Sequence, residues 1–246
     1  MSNFNLLIID GSAHLVNLDL EILEIKGFGR FPSQPLLSYE SGKEFELLGK
    51  KCMLIDYVLS DLQSNLKRGP QIISPKDIAW IVYRSGLSTG KTVVEAGSGS
   101  AALTLALAQT VAPNGKVITF ENNNRHLKVA QRNIKMSRWE NLVELRNEEL
   151  KDSTPSISAS SVILDIPNPW ELVEWAKKSI DIGGFLICYI PTVNQIKALI
   201  DSLEGWKEIE VIEIMQRGWQ SRSSALRPDN NGIGHTGFII SSRWNG

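Results

Sequence analysis

Thr92-Val93-Val94-Glu95-Ala96-Gly97-Ser98-Gly99-Ser100-Ala101-Ala102-Leu103-Thr104 is the stretch on which the fold turns. The β-branched run Thr92–Ala96 ends in two spaced glycines, and an apolar helical pattern, Ser100–Val111, starts directly behind them. Glycines at a strand end permit a tight turn and a close backbone approach, and the following helix presents free N–H groups. That is the first βα unit of a sheet with helices on its faces.

Downstream, the rhythm repeats. Strand-like runs lie at Lys116–Glu121, Leu142–Leu145, Ser161–Ile166 and Phe185–Ile190; helix-like runs lie at Asn124–Arg138, Pro169–Ile180 and Val193–Leu203. Alternation of this kind predicts a mostly parallel sheet covered on both sides. The rhythm breaks at the end, where Ile209–Gln216 and Gly234–Ser242 are two strand-like runs with no helix between them. The expected sheet is therefore parallel with a C-terminal antiparallel pair.

Upstream, Ser74-Pro75-Lys76-Asp77 reads as a helix start: Ser as cap, Pro at the first helical position, and Asp closing a capping box. The first sixty residues are short apolar runs broken by Asp10-Gly11, Lys26-Gly27, Pro32, Pro35, Ser41-Gly42 and Gly49-Lys50. Such spacing predicts a small, barrel-like antiparallel β domain over residues 1–66. Met53–Leu66 reads as strand or linker, and the break Lys67-Arg68-Gly69-Pro70 opens the second domain, residues 67–246.

The 246 residues carry 26 Lys+Arg against 27 Asp+Glu, a balance that excludes a uniformly basic nucleic-acid binder. The sum hides an asymmetry. Residues 1–66 net −4, 67–138 net +8, 139–213 net −8 and 214–246 net +3, so an anionic partner stays open. Cys52 and Cys188 are too few and too far apart for a metal motif or disulfide framework. With no signal-peptide pattern at Met1–Asp10 and no run near the roughly 20 apolar residues of a bilayer span, a cytoplasmic protein without membrane contact is expected.

A dinucleotide turn places a third glycine where Ala102 stands. Here, acids take over instead: Glu95 precedes Gly97 by two residues, and Glu121 closes the next strand, where a carboxylate can bind both hydroxyls of a ribose. Acid-Gly-x-Gly-x with a second acid at the next strand end is the pattern of enzymes that use S-adenosyl-L-methionine (SAM). The fold class is then α/β, a Rossmann-like class I SAM methyltransferase sheet behind a small N-terminal β domain. Strand four ends Asp165-Ile166-Pro167-Asn168-Pro169-Trp170, and ligands of open α/β sheets sit at such strand ends, so Asp165 is the catalytic candidate.

The chain resembles the tRNA (adenine-N1)-methyltransferases that modify the T-loop. The resemblance rests on Gln71-Ile72-Ile73-Ser74-Pro75-Lys76-Asp77, on Glu95 to Ala101, and on Asp165 to Trp170. Tyr189, Pro191 and Gln195, and the closing Gly234-His235-Thr236-Gly237-Phe238, complete it. The resemblance implies that Gly97, Ser98, Gly99, Ser100, Ala101, Ala102 and Leu103 hold the methionine part of SAM. It further implies Glu121 on the ribose with His126 near it, Asn147 and Glu148 flanking the adenine, and Gln71 with Asp165 at the methyl-transfer site. It also implies tRNA as the macromolecular partner and a homo-oligomer, specifically a homotetramer. Lys128, Arg132, Lys135 and Arg138 recur along one helix and Arg217, Arg222, Arg227 and Arg243 fall in the tail, but spacing alone leaves a solvated face and an RNA-contacting surface both open. Ser74 stands where the family carries an aromatic, and Ala101 where it carries glycine, which implies an altered contact and an added methyl beside the cofactor. Two other readings fit parts of the pattern: a non-catalytic RNA-binding subunit, favoured by Ala101, and a small-molecule SAM methyltransferase of the same fold.

Overall fold

A computed structural model describes residues 3–69, 71–230 and 234–246; Pro70, the last residue of the expected break, lies outside them. The N-terminal strands are β1 Phe4–Ile9, β2 Ser12–Asn17, β3 Ile22–Ile25, β4 Gly29–Pro32, β5 Glu44–Leu47 and β6 Lys50–Ile55. Four of them form an antiparallel sheet in the order β2-β1-β6-β5, and β3–β4 is a separate hairpin. Together they enclose a small core around Leu7, Phe31, Leu36 and Leu54. Among the described residues, hydrogen bonding does not close these strands into a ring.

The stretch read as strand or linker divides. Met53–Ile55 belongs to β6, whereas Leu59–Ser64 forms a helix, α1. Leu59, Leu62 and Leu66 recur at helical spacing and pack with Tyr57 into the main core, and the Asp61 carboxylate accepts the Val58 amide at 2.9 Å. Burial on one helical face overrode the short apolar run.

The large sheet contains β7 Thr92–Ala96, β8 Lys116–Phe120, β9 Val143–Arg146, β10 Ala159–Leu164, β11 Ile180–Ile190, β12 Lys207–Ile212 and, later in the chain, β15 Phe238–Arg243. Between the last two, Trp219–Gln220 (β13) and Arg227–Pro228 (β14) make a minimal hairpin. The order is β12-β15-β11-β10-β7-β8-β9. Neighbours from β11 to β9 are parallel, and β15 inserts antiparallel between β11 and β12. The helices are α2 Pro75–Arg84, α3 Ala102–Val111, α4 Asn124–Lys135, α5 Val173–Ser179 and α6 Val193–Ser202, with a 3-10 turn at Pro169–Leu172 before α5.

Strand residues alternate between two cores, as a sheet buried on both faces requires. Val93, Val117, Ile163 and Ile187 face the core that contains Leu62, Ile81 and Leu105. Val94, Ile118, Val162 and Leu186 face the one that contains Trp175 and Leu199. Strand order reverses between β7 and β10, which opens a crevice at the carboxyl ends of these two strands.

Candidate active site

The glycine turn and the acid after β10 meet at that crevice. The Asp165 amide donates to the Ala96 carbonyl at 2.8 Å. Gly97 has φ +91°, and a Cβ there would stand 2.1 Å from the Asp165 carbonyl oxygen. Only glycine accommodates both conditions. The cavity beside them measures about 850 Å3 and is walled by residues from both halves of the sheet.

Glu121 follows β8 and is buried. Its Oε2 accepts the Gly99 amide at 3.0 Å and its Oε1 the Asn123 amide at 2.9 Å, so the turn after β7 and the start of α4 both fix the carboxylate. Asn123 in turn caps α4, its side chain accepting the Arg125 amide at 2.9 Å. His126, on the first turn of α4, has Nδ1 3.8 Å from Glu121 Oε1.

Asp165 is half-buried. Removal from water, with the Glu121 charge as the second cause, pushes its carboxyl up to about 7. Glu95 lies one residue before the cavity wall, fully buried. Its Oε2 accepts from Thr104 and Thr119, each at 2.6 Å, while its Oε1 has no partner. Burial raises it to about 7 against the pull of those two hydroxyls, with the Asp165 and Glu121 charges adding to the rise. Three carboxyls thus cluster around one turn, an arrangement suited to a cationic ligand.

Of the residues singled out from the sequence, Gln71, Gly97, Gly99, Glu121, His126, Glu148 and Asp165 stand on the cavity wall. The others do not. Ser98, Ser100, Ala101, Ala102 and Leu103 are buried away from it, the last three within the main core. Ala101 takes the left-handed conformation at φ +64° as the residue before α3, and its methyl is packed against protein instead of projecting toward a ligand. Helix α3 starts at Ala102, not Ser100, because this left-handed residue breaks the turn. Asn147 is exposed, and its amide donates to the Asn124 side chain at 3.2 Å.

Ser74 does not line the cavity either. The expected capping box is replaced: Pro75 does open α2, but the Ser74 hydroxyl donates to the Asp77 carboxylate at 2.8 Å instead of capping the helix. Trp170 packs against the second core, and Trp219 is exposed on the small hairpin, so neither walls the cavity. Wall residues outside the singled-out set include Tyr189, Pro191 and Gln195, whose motif was visible, and the loop Glu149–Asp152 after β9. Their common signal is position at or after a strand's carboxyl end: Tyr189 in the last residues of β11, Pro191 directly behind it, Gln195 on the first turn of α6, and Glu149–Asp152 in the loop after β9.

A glycine turn, an acid on the neighbouring strand end and a cavity at the switch point of a sheet in this order define a SAM-dependent methyltransferase fold. The solved SAM-dependent O-methyltransferase of Thermotoga maritima shares that fold, with a TM-score of 0.83 at 24% identity over 100% of this chain and 94% of its own. The chain belongs to the family described as tRNA methyltransferase complex GCD14 subunit, which it matches over residues 60–240. It is 31% identical over 223 residues to tRNA (adenine(57)-N(1)/adenine(58)-N(1))-methyltransferase TrmI of Methanocaldococcus jannaschii, covering 79% of each chain. It is 30% identical to tRNA (adenine(58)-N(1))-methyltransferase TrmI of Thermus thermophilus, covering 87% of this chain and 86% of that one. The solved tRNA (m1A58) methyltransferase TrmI of Aquifex aeolicus superposes with a TM-score of 0.75 at 25% identity, over 98% and 96% of the two chains.

Proposed function

We propose that this chain transfers the methyl group of SAM to N1 of an adenine in the T-loop of tRNA. The observation that carries the reading is the Asp165 carboxyl on the wall of the switch-point cavity, locked to the Gly97 turn. The family and its TrmI relatives supply the substrate class.

The residues present fit the cofactor. A volume of about 850 Å3 is within the range for such ligands, and the Glu121 and Asp165 carboxyls on its wall suit a cationic one. When bound, SAM supplies an electrophilic methyl on a sulfonium. Gly97 and Gly99 would leave room for its methionine part, Glu121 would hold the ribose with His126 beside it, and Glu148 would flank the adenine. Ser98 and Ser100 to Leu103 shape the turn from behind.

Adenine N1 attacks with its own lone pair, so no covalent enzyme intermediate is needed and alignment dominates the rate enhancement. Positive charge develops on the base, and ionised Asp165 stabilises it or accepts a hydrogen bond from the exocyclic amine. Because tRNA's folded elbow engages N1, the base must swing out to enter the cavity.

Exposed Lys128, Arg132 and Lys135 on α4, with Arg217, Arg222 and Arg227 in the tail, supply phosphate contacts for tRNA. Arg138 serves elsewhere, its guanidinium 4.3 Å over the Tyr57 ring. Exposed Met215, Trp219 and Leu226 in the same tail support assembly of several copies, a homotetramer by family resemblance. No helix among the described residues is long and apolar enough to cross a membrane, and the two free, buried cysteines suit the reducing cytoplasm. The test is nucleoside mass spectrometry of unmodified tRNA incubated with the chain and SAM. 1-Methyladenine is expected, and Asp165→Ala removes it while calorimetry still detects SAM binding; its absence with the wild-type chain overturns the reading.

A further inference from the structure

Asp77 has no place in the chemistry above, yet four neighbouring side chains donate hydrogen bonds to it. It is fully buried. Its Oδ1 accepts from Lys76 Nζ at 2.7 Å. Its Oδ2 accepts from the hydroxyls of Ser74 at 2.8 Å, Thr236 at 2.7 Å and Tyr189 at 3.3 Å. Lys76 Nζ also donates to Thr236 Oγ1 at 2.6 Å, so the Thr236 hydroxyl accepts from the ammonium and donates to the carboxylate. Three of the motifs noted in the sequence converge on one carboxylate: residues 71–77, the end of β11, and residues 234–238.

Burying an ion pair gains little stability over apolar packing of the same volume, because desolvation offsets the attraction. What it does gain here is geometry. In the parallel register Leu164 pairs with Cys188, which sets Asp165 and Tyr189 side by side at adjacent strand ends. Tyr189 lines the cavity, and so does Gln71, six residues before Asp77. Gly237 packs closely against the hydroxyl end of the Tyr189 ring, where a Cβ would stand 2.5 Å from Tyr189 Cζ. Burial raises the Tyr189 phenol to about 12, so the hydroxyl remains a donor to Asp77.

We propose that Asp77, paired with Lys76, is a positioning residue for methyl transfer: its carboxylate ties the Tyr189 hydroxyl to residues 71–77 and 234–238, and thereby sets the Tyr189 ring and Gln71 on the cavity wall beside Asp165. The proposal rests on the methyl-transfer reading. Asp77 is buried and does not line the cavity, so it acts on alignment.

The test compares Asp77→Asn, Tyr189→Phe and the double variant, using full-length protein, SAM and unmodified tRNA. Asp77→Asn is expected to lower kcat by about tenfold or more, the order of loss that misalignment produces. Calorimetric SAM affinity stays within about threefold, because among the described residues every hydrogen bond of the Asp77 carboxylate is to a protein side chain and Asp77 does not line the cavity. The double variant falls no lower than the worse single one, since residues acting through one hydrogen bond are not additive. Wild-type kcat in Asp77→Asn, or multiplicative losses in the double variant, overturns the proposal. If Asp77→Asn fails to melt cooperatively, Thr236→Val carries the same comparison, with a loss of kcat at unchanged SAM affinity and non-additivity with Tyr189→Phe expected, and the opposite overturning it. A wild-type chain that produces no 1-methyladenine refutes the reaction itself, and the positioning role with it.

Discussion

Gly97 and Asp165 meet backbone to backbone, so closely that a single methyl on residue 97 would lie 2.1 Å from the Asp165 carbonyl oxygen. That contact joins the two halves of the cavity wall: the turn after the first strand of the large sheet and the acid after the fourth.

Gly97→Ala therefore meets a steric and a conformational penalty together, since φ is +91°. Overpacking and positive φ together cost about 3 kcal/mol. The expected result is a lower urea midpoint and loss of calorimetric SAM binding. A variant with wild-type midpoint and affinity would falsify the close contact.

The proposed role of Asp165 predicts the pH profile of methyl transfer. Burial first, then the Glu121 charge, raises its carboxyl to about 7, and the ionised form is the one that stabilises a cationic adenine. The value of kcat/KM for tRNA thus rises with pH, about tenfold per unit below 7, and levels above it. Asp165→Asn loses both activity and this slope. A flat profile between about pH 5.5 and 8.5 for the wild-type chain contradicts the assignment.

Glu95 makes stability depend on pH. Burial raises it from 4.5 to about 7, so over that window the folded chain holds a proton that the unfolded chain has released. Stability therefore falls as pH rises through the window. Glu95→Gln keeps the size and polarity without the charge. Its stability change between about pH 5 and 8 is smaller than that of the wild-type chain by about 2–3 kcal/mol. Equal slopes in urea titrations of the two proteins rule this out.

Ala101→Gly balances opposed terms. Relief of the left-handed conformation at φ +64° is worth about 1–2 kcal/mol. Loss of a buried methyl removes about 0.8 kcal/mol, and the freer unfolded chain about 0.4–1 kcal/mol more. The net change is within about 1 kcal/mol. SAM affinity stays unchanged, because the methyl packs into the main core. A severalfold gain in affinity shows instead that Ala101 crowds the cofactor.

The alternation of strands and helices from Thr92 to Ser202, the antiparallel finish, the glycine turn, and Glu121 and Asp165 at strand ends were all legible in the chain. Periodicity and turn chemistry are local, and strand ends in this sheet face one crevice. Tertiary structure decided the rest, because partners far apart in sequence compete for the same groups. Asp77 had the spacing of a helix cap, but burial against Tyr189 and Thr236 made it a hub. Leu59–Ser64 had an ambiguous apolar pattern, settled as a helix by the core that receives Leu62. Seven adjacent residues, Gly97 to Leu103, looked equivalent, yet only the two glycines reach the cavity wall, because a tight turn sends the side chains that follow it into the core. The sequence on its own therefore determined which strands and acids build the site. Which side chains face it was decided by packing at the switch point, where backbone contact leaves no room for a Cβ.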